Sequence, residues 1–485
     1  MPLGSPRDTS LDGDPAKSDP SHGQQSERSS RDNCEPLPPL INRLLPIEIL
    51  TQVFIEVCRN TGLGPLYYTH LAPVTILALV CPLWRDIAIP NPTLWSSFRF
   101  TAGDSFRTDT TRNMLPILRL FLQRSYPSDL AVCAQIQERS QDDSCFNELA
   151  LHSERWGHLH LDIFPRLISK LNTVKNRVSA LKTLSLQTNL VNRGLQSNDV
   201  VDAFEYAPQL RNFATRGSMS SALRIPWDQI TDLSFDPPDA TGMEWAQQCS
   251  NLRSLTVYPT SLRNVDITHP LLHELSLSLG LFSPPDGLRI LTCFTMPNLL
   301  SLHIKSFSAT KPFAWFHSAF LAFVARSPPF ALRELAFVNV YTDMTAPQLI
   351  ECLQVLPSLQ TLKIIESCRN PLFAREICQA LTRRPSEGRS MHLAPMLTTL
   401  HLTEDEGQRS IIDPESLVEM VESRVPDPHG TGHDAGLASL TSLTLGAAVF
   451  WARPGKHAAM VMMRFTLLEE RGLRISVIPP GPSDY

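Results

Sequence analysis

The chain has 485 residues, 42% apolar and 19% charged, with a formal net charge of −5. That apolar content supports a large core and excludes wholesale disorder, while the mild acidity gives no general attraction for nucleic acid or anionic lipid. Ten cysteines, none spaced as CxxC, make neither a disulfide scaffold nor a zinc knuckle.

Residues 1–36 are Ser, Asp, Pro, Gly, Gln and Arg with almost no large apolar side chain. They cannot bury enough surface to offset their ordering entropy, which predicts a disordered tail without a signal-peptide core. The longest nearly apolar run, Leu71 to Cys81, falls short of the ~20 residues that cross a bilayer. The expectation is a soluble protein of the cytoplasm, the nucleus or both, with reduced thiols and no membrane partner.

After Leu45, Pro46 stands in a first helical turn, where its missing N–H costs nothing. Ile49, Leu50, Val53, Phe54 and Val57 then recur at helical spacing. Asn60 to Pro65 breaks this helix, and a second is expected from Val74 through Trp84 to Ala88. Asn91-Pro92 stops the chain before Leu94-Trp95. Met114, Ile117, Leu118, Phe121 and Leu122 share one face of a further helix, ended by Ser125-Tyr126-Pro127, and Leu130 to Val132 suggests a short strand.

From there an internal repeat dominates. Its unit is an apolar residue, two polar ones, Leu, one polar residue and another apolar one. Clear copies are Leu181-Leu184-Leu186, Ile230-Leu233-Phe235, Leu252-Leu255-Val257, Leu272-Leu275-Leu277 and Leu299-Leu302-Ile304. They continue at Leu332-Leu335-Phe337, Leu359-Leu362-Ile364, Leu397-Leu400-Leu402 and Leu440-Leu443-Leu445, with weaker ones at Trp156-Leu159-Leu161 and Leu210-Phe213. Pro208, Pro270, Pro297, Pro357 and Pro395 precede the opening leucine by two residues. Helical patterns fill several gaps, as in Phe313 to Val324 and Leu349 to Leu356. A strand, a loop, a helix and a proline turn make one βα unit. The fold class is therefore α/β: stacked units giving a solenoid with parallel strands on a concave face and helices and loops outside. Outward strand positions, among them Lys182, Arg253, His273, Arg333, Ser276, Lys363 and His401, are expected to be solvated. The Asn or Cys that regular repeats place after each strand is mostly missing, Asn189 being the best match, so the repeats are irregular.

The pattern Leu45-Pro46-x-Glu48-Ile49-Leu50…Phe54, followed by Val80-Cys81-x-x-Trp84-Arg85-x-x-Ala88 and Pro92-x-Leu94-Trp95, resembles an F-box of the fungal style that precedes irregular leucine-rich repeats. A longer insertion, Arg59 to Thr69, departs from that pattern. The resemblance covers residues 37–100 and divides the chain into a tail (1–36), a small helical F-box-like module (37–100) and a leucine-rich-repeat-like solenoid (101–485). It implies a substrate-recognition subunit of a Skp–cullin–F-box ubiquitin ligase. The partners would be a Skp-type adaptor, through it a cullin, and a protein substrate held by the repeats. Leu45, Pro46, Ile49, Leu50, Val53, Trp84, Leu94 and Trp95 are the candidate partner-binding residues; an apolar helix face suits a hydrophobic groove. The alternatives are that these side chains only pack the local helical hairpin, and that the repeats bind proteins without a ligase.

Catalytic signatures are missing. No GxSxG elbow, GxxxxGKS/T loop or GxGxxG loop occurs. His429 and His433 lie among glycines beside Pro428, whereas paired zinc ligands at this spacing need a helix. Glu404-Asp405-Glu406, Glu415 with Glu419, His303 and His401 read as solvated surface groups. The expectation is no enzyme, no cofactor, no metal and no nucleic-acid partner.

Overall fold

The computed structural model describes residues 40–60, 73–102, 114–136, 143–188, 200–216, 223–235, 241–259, 266–280, 287–306, 314–340, 342–366, 375–384, 392–404, 413–425, 437–446 and 456–478. The tail 1–36, Asn189 and the pair His429/His433 lie outside these residues, as does the 61–72 stretch that holds most of the insertion. The chain divides into two compact units, 1–50 and 51–485.

The first unit contains the helical turn Leu40–Leu44 and the start of a helix, Ile47–Asn60. Pro46 sits at the entrance of that helix, and its carbonyl accepts the Leu50 N–H at 3.0 Å. Leu50 is buried while Ile41, Leu44, Ile47 and Ile49 are exposed.

The second unit is built on a sheet of 14 strands in which every pairing is parallel. Its strands are β1 (Ser97–Ala102), β2 (Leu130–Ile136), β3 (Trp156–Ile163), β4 (Thr183–Thr188), β5 (Asn212–Arg216), β6 (Asp232–Phe235) and β7 (Ser254–Val257). Beside the sheet, β8 (Ile267–Thr268) pairs with β10 (Phe294–Thr295). The main sheet resumes with β9 (Glu274–Leu279), β11 (Ser301–Ser306), β12 (Glu334–Val340), β13 (Thr361–Glu366), β14 (Thr399–Glu404), β15 (Ser442–Gly446) and β16 (Arg474–Ile478). Each strand pairs with the next one in the chain, apart from the β8/β10 detour. A parallel neighbour needs a crossover, and helices such as His317–Arg326, Ala346–Gln354 and Pro414–Glu422 supply it.

The repeat leucines explain the register. Leu184, Phe213, Leu233, Leu255, Leu275, Leu302, Leu335, Leu362, Leu400 and Leu443 form one row of direct partners across ten strands. All ten are buried. A slip of one residue would turn each of them to the opposite face, so the pattern locks the pairing. The upstream prolines also have a local cause. At Pro208, Pro297, Pro357 and Pro395 the opening leucine donates its N–H to the residue before the proline, closing turns of 3.1–3.3 Å (Leu210 to Ala207, Leu299 to Met296, Leu359 to Leu356, Leu397 to Ala394). Proline is preset for the second position of such a turn.

Arginines tie the crossover layer together. Arg155 donates to the carbonyls of Leu122 and Ser128, and Arg326 to those of Leu291 and Phe294. Arg424, only 1% exposed, donates to Leu381, Leu393 and Ala394 at 2.6–3.1 Å. Each reaches back toward the end of an earlier helix or turn, where carbonyls lack intrahelical partners.

Three expectations need correction. The helix expected from Val74 to Ala88 is two helices, Pro73–Val80 and Pro82–Ala88, because Pro82 forces Cys81 into an extended conformation. The sheet begins at Ser97, inside the segment assigned to the helical module. Ser276 is 2% exposed rather than solvated, because its short side chain is set between larger neighbours, Thr256 and His303, on adjoining strands.

Candidate functional site

Two surfaces merit attention, an apolar one on the early helices and a polar one on the sheet. Along the helix Ile47–Asn60, Ile49, Val53 and Val57 follow at intervals of four, and they are 48%, 44% and 41% exposed. Side chains at that spacing stand on one face. Pro46 is exposed and Leu45 half-buried. Ile76, Leu79 and Val80 on the helix Pro73–Val80 are exposed as well. Single exposed apolar side chains need no explanation; here three follow one another along one helix face.

The remaining candidates separate by burial. Leu94 and Trp95 are almost completely buried, as is Leu50 in its own unit. Within this chain they are covered by its own packing. The Trp95 indole donates to the Ala88 carbonyl at 2.8 Å, its ring meets Phe121 edge-on at 5.0 Å, and the Arg124 guanidinium covers it at 4.4 Å. Trp95 thus joins the helix Pro82–Ala88 to the helix Met114–Arg124. Trp84 is half-buried, its ring 4.7 Å from that of Phe54. Its rigid ring holds two helices together.

The open face of the sheet carries the outward side chains. Lys363 pairs with Glu334 at 2.6 Å, and His303 approaches the same carboxylate at 3.4 Å. The imidazoles of His158 and His160 meet Thr183 and Ser185 on the next strand at 3.0 and 2.8 Å. Gln135 donates to Asp162 at 3.1 Å, and Arg216 lies over the Tyr258 ring at 4.2 Å. Burial is the main force holding His158, His160, His303 and His401 below the ordinary histidine range, and it holds the Asp162 carboxyl above the ordinary carboxylate range. Among the described residues on this face, the Ser276 hydroxyl and Nε2 of His401 are buried without a hydrogen-bond partner.

One constellation mimics a nucleophile–base–acid arrangement. The Cys352 thiol lies 3.8 Å from Nδ1 of His317, whose Nε2 meets Glu351 at 2.6 Å. The thiol is completely buried, and burial followed by the Glu351 charge drives its pKa up, so the thiolate needed for attack is disfavoured. The Trp315 indole N–H also occupies Nδ1, at 3.3 Å. The cluster is packing, not chemistry. Among the described residues no group of three or more His, Cys, Asp or Glu side chains is placed to hold a metal ion, and no helix is long and apolar enough to cross a membrane. Glu415 and Glu419 are exposed on the helix Pro414–Glu422, whose Glu422 pairs with Arg464. Sequence reasoning missed the rings and bonds that fix Trp95, since nothing in one sequence says which neighbour a tryptophan meets.

Compared with family models and with curated proteins, the chain matches none.

Proposed function

We propose that this chain is a non-catalytic receptor: the substrate-recognition subunit of a Skp–cullin–F-box ubiquitin ligase, acting in the cytoplasm or nucleus. The observation that carries the reading is the exposed apolar run Ile49, Val53 and Val57 on one helix, in the segment whose motif resembles an F-box. An amphipathic helix with anchors at this spacing fits a hydrophobic groove on a helical adaptor. Buried Trp95 and half-buried Trp84 stiffen the neighbouring helices, which lowers the ordering cost of docking. The long sheet, repeating a leucine-rich βα unit, supplies a broad second surface for the protein to be modified.

The test is co-purification of the full chain with a Skp-type adaptor and a cullin, followed by transfer of ubiquitin to captured proteins. Stable capture of the adaptor supports the receptor reading. If the adaptor is not captured while other proteins are, the chain is a ligase-independent interaction protein.

A further inference from the structure

We propose that the rim of the open face, where the strands of the sheet begin, binds an acidic, extended segment of a partner polypeptide. The residue just before each strand makes a continuous backbone ladder. Its N–H donates to the carbonyl of the equivalent residue in the preceding strand, from Arg211 to Lys182, from Arg253 to Thr231, from His273 to Arg253 and from Arg333 to Leu300, at 2.8–3.0 Å. These residues therefore stand in a fixed row, one per strand. Five of them, Lys182, Arg211, Arg253, His273 and Arg333, are basic or imidazole side chains, and all five are exposed. Thr231 and Leu300 fill the two gaps, and no carboxylate occupies the row between Lys182 and Arg333.

The charges are available. Among the described residues no hydrogen bond or ion pair engages the side chain of Arg253, His273 or Arg333. Lys182 leans toward Asp129 at 3.7 Å, and Arg211 donates only to the carbonyls of Pro208 and Leu210. The carboxylates one residue further into the strands are already occupied. Asp232 accepts from the Thr231 hydroxyl at 2.6 Å, Glu334 pairs with Lys363 and His303, and Glu274 lies 3.8 Å from His303. The rim thus presents three guanidinium side chains, Arg211, Arg253 and Arg333, with no carboxylate partner among the described residues, on a chain whose net charge is −5.

Geometry selects the ligand. From β4 to β12 the sheet takes six strand steps, roughly 29 Å at ~4.8 Å each, which an extended peptide covers in about nine residues at ~3.3 Å per residue. The fixed charges Lys182, Arg211, Arg253 and Arg333 fall at irregular intervals, with His273 and an apolar Leu300 between the last two. A peptide can match that by alternating acidic and apolar side chains. A nucleic acid carries evenly spaced phosphates, which this irregular spacing does not match. Because the ladder consumes the rim's backbone groups, recognition falls to the side chains, and their reach sets an ionic, salt-sensitive interaction.

The inference rests on the receptor reading only in naming the bound segment as part of a substrate; the binding itself stands apart. The test is fluorescence anisotropy on the full chain with a labelled glutamate-rich peptide of about nine residues. Its glutamine counterpart and a single-stranded DNA of equal charge serve as comparisons. The expected result is binding of the glutamate peptide alone, weakened by added salt, and weakened roughly tenfold by Arg253→Glu with Arg333→Glu. Should the reversed variant lose its cooperative melt, Arg253→Gln with Arg333→Gln takes its place. The proposal is overturned if the glutamate peptide fails to bind, binds no better than the glutamine peptide, or is unaffected by the substitutions. DNA bound as tightly as the peptide overturns it too, reassigning the rim to phosphate backbones. Adaptor capture measured on the same variants keeps the two ideas distinct. Lost peptide binding with capture intact is the result expected of the variants, and peptide binding by a wild-type chain that captures no adaptor fails the receptor reading alone.

Discussion

Replacing Ile49 and Val53 together with Asp places charge on the exposed face of the helix Ile47–Asn60, which tests the proposed docking role without touching the buried side. Ile49 is 48% and Val53 44% exposed, so a docked adaptor would have about half of each residue left to cover. Full burial of an Ile or Val side chain contributes ~1.5–3 kcal/mol, and covering the exposed half contributes about 1 kcal/mol at each site. Truncating both to Ala should therefore weaken adaptor binding by about 2 kcal/mol, roughly thirtyfold in Kd. The Asp pair adds the cost of desolvating two carboxylates in an apolar groove, which brings the loss to at least about 3 kcal/mol, over a hundredfold. Isothermal titration of the full chain with the adaptor reads these values, and thermal melting verifies that the fold is intact. An Asp variant whose Kd stays within about threefold of wild type would refute the assignment of this helix face.

Other outcomes follow from the buried layers. Leu302→Ala should cost about 2–5 kcal/mol in denaturant unfolding, whereas Ser276→Ala should change stability by less than about 0.5 kcal/mol, because its buried hydroxyl has no partner to lose; a large loss at Ser276 would mean that the hydroxyl is engaged. Arg424→Met removes three donor bonds worth ~1.5–3 kcal/mol each, but it also releases a guanidinium that burial pulls from 12.5 to about 9, a penalty of roughly 5 kcal/mol. The expected net loss is about 2 kcal/mol, and a loss equal to the full three bonds would show that the burial penalty is overstated. His160, His303 and His401 titrate below 6.5 in the folded protein, so the unfolded chain takes up protons first on acidification. Their stabilisation is complete above about pH 6.5 and falls as pH drops toward their folded values; an unfolding free energy that stays level from about pH 7 to about pH 5 would contradict the burial of these rings.

The repeat was readable because its two periodicities are local. Alternating Leu and polar residues specify a strand with one buried face, and Pro two residues ahead specifies the turn that launches it. Even the weak copies Trp156-Leu159-Leu161 and Leu210-Phe213 lead into full strands, β3 and β5. Pro82 was equally local, yet the apolar periodicity running through Cys81 masked the break it imposes. The early helices were legible in position, but their roles were not. The same motif contains exposed Ile49 and Val53 beside buried Leu50, Leu94 and Trp95, and helical spacing does not distinguish a face that packs from one that waits for a partner.

What the sequence determined by itself is therefore the parallel α/β architecture and the row of leucines that sets the register, since each follows from side-chain period and turn chemistry within a few residues. Tertiary structure alone decided which outward side chains see water. Ser276 disappears between Thr256 and His303, residues distant in the chain and brought together by strand pairing. The same pairing aligns Lys182, Arg253 and Arg333 into one charged rim, because the backbone ladder that holds them exists only once the strands have stacked.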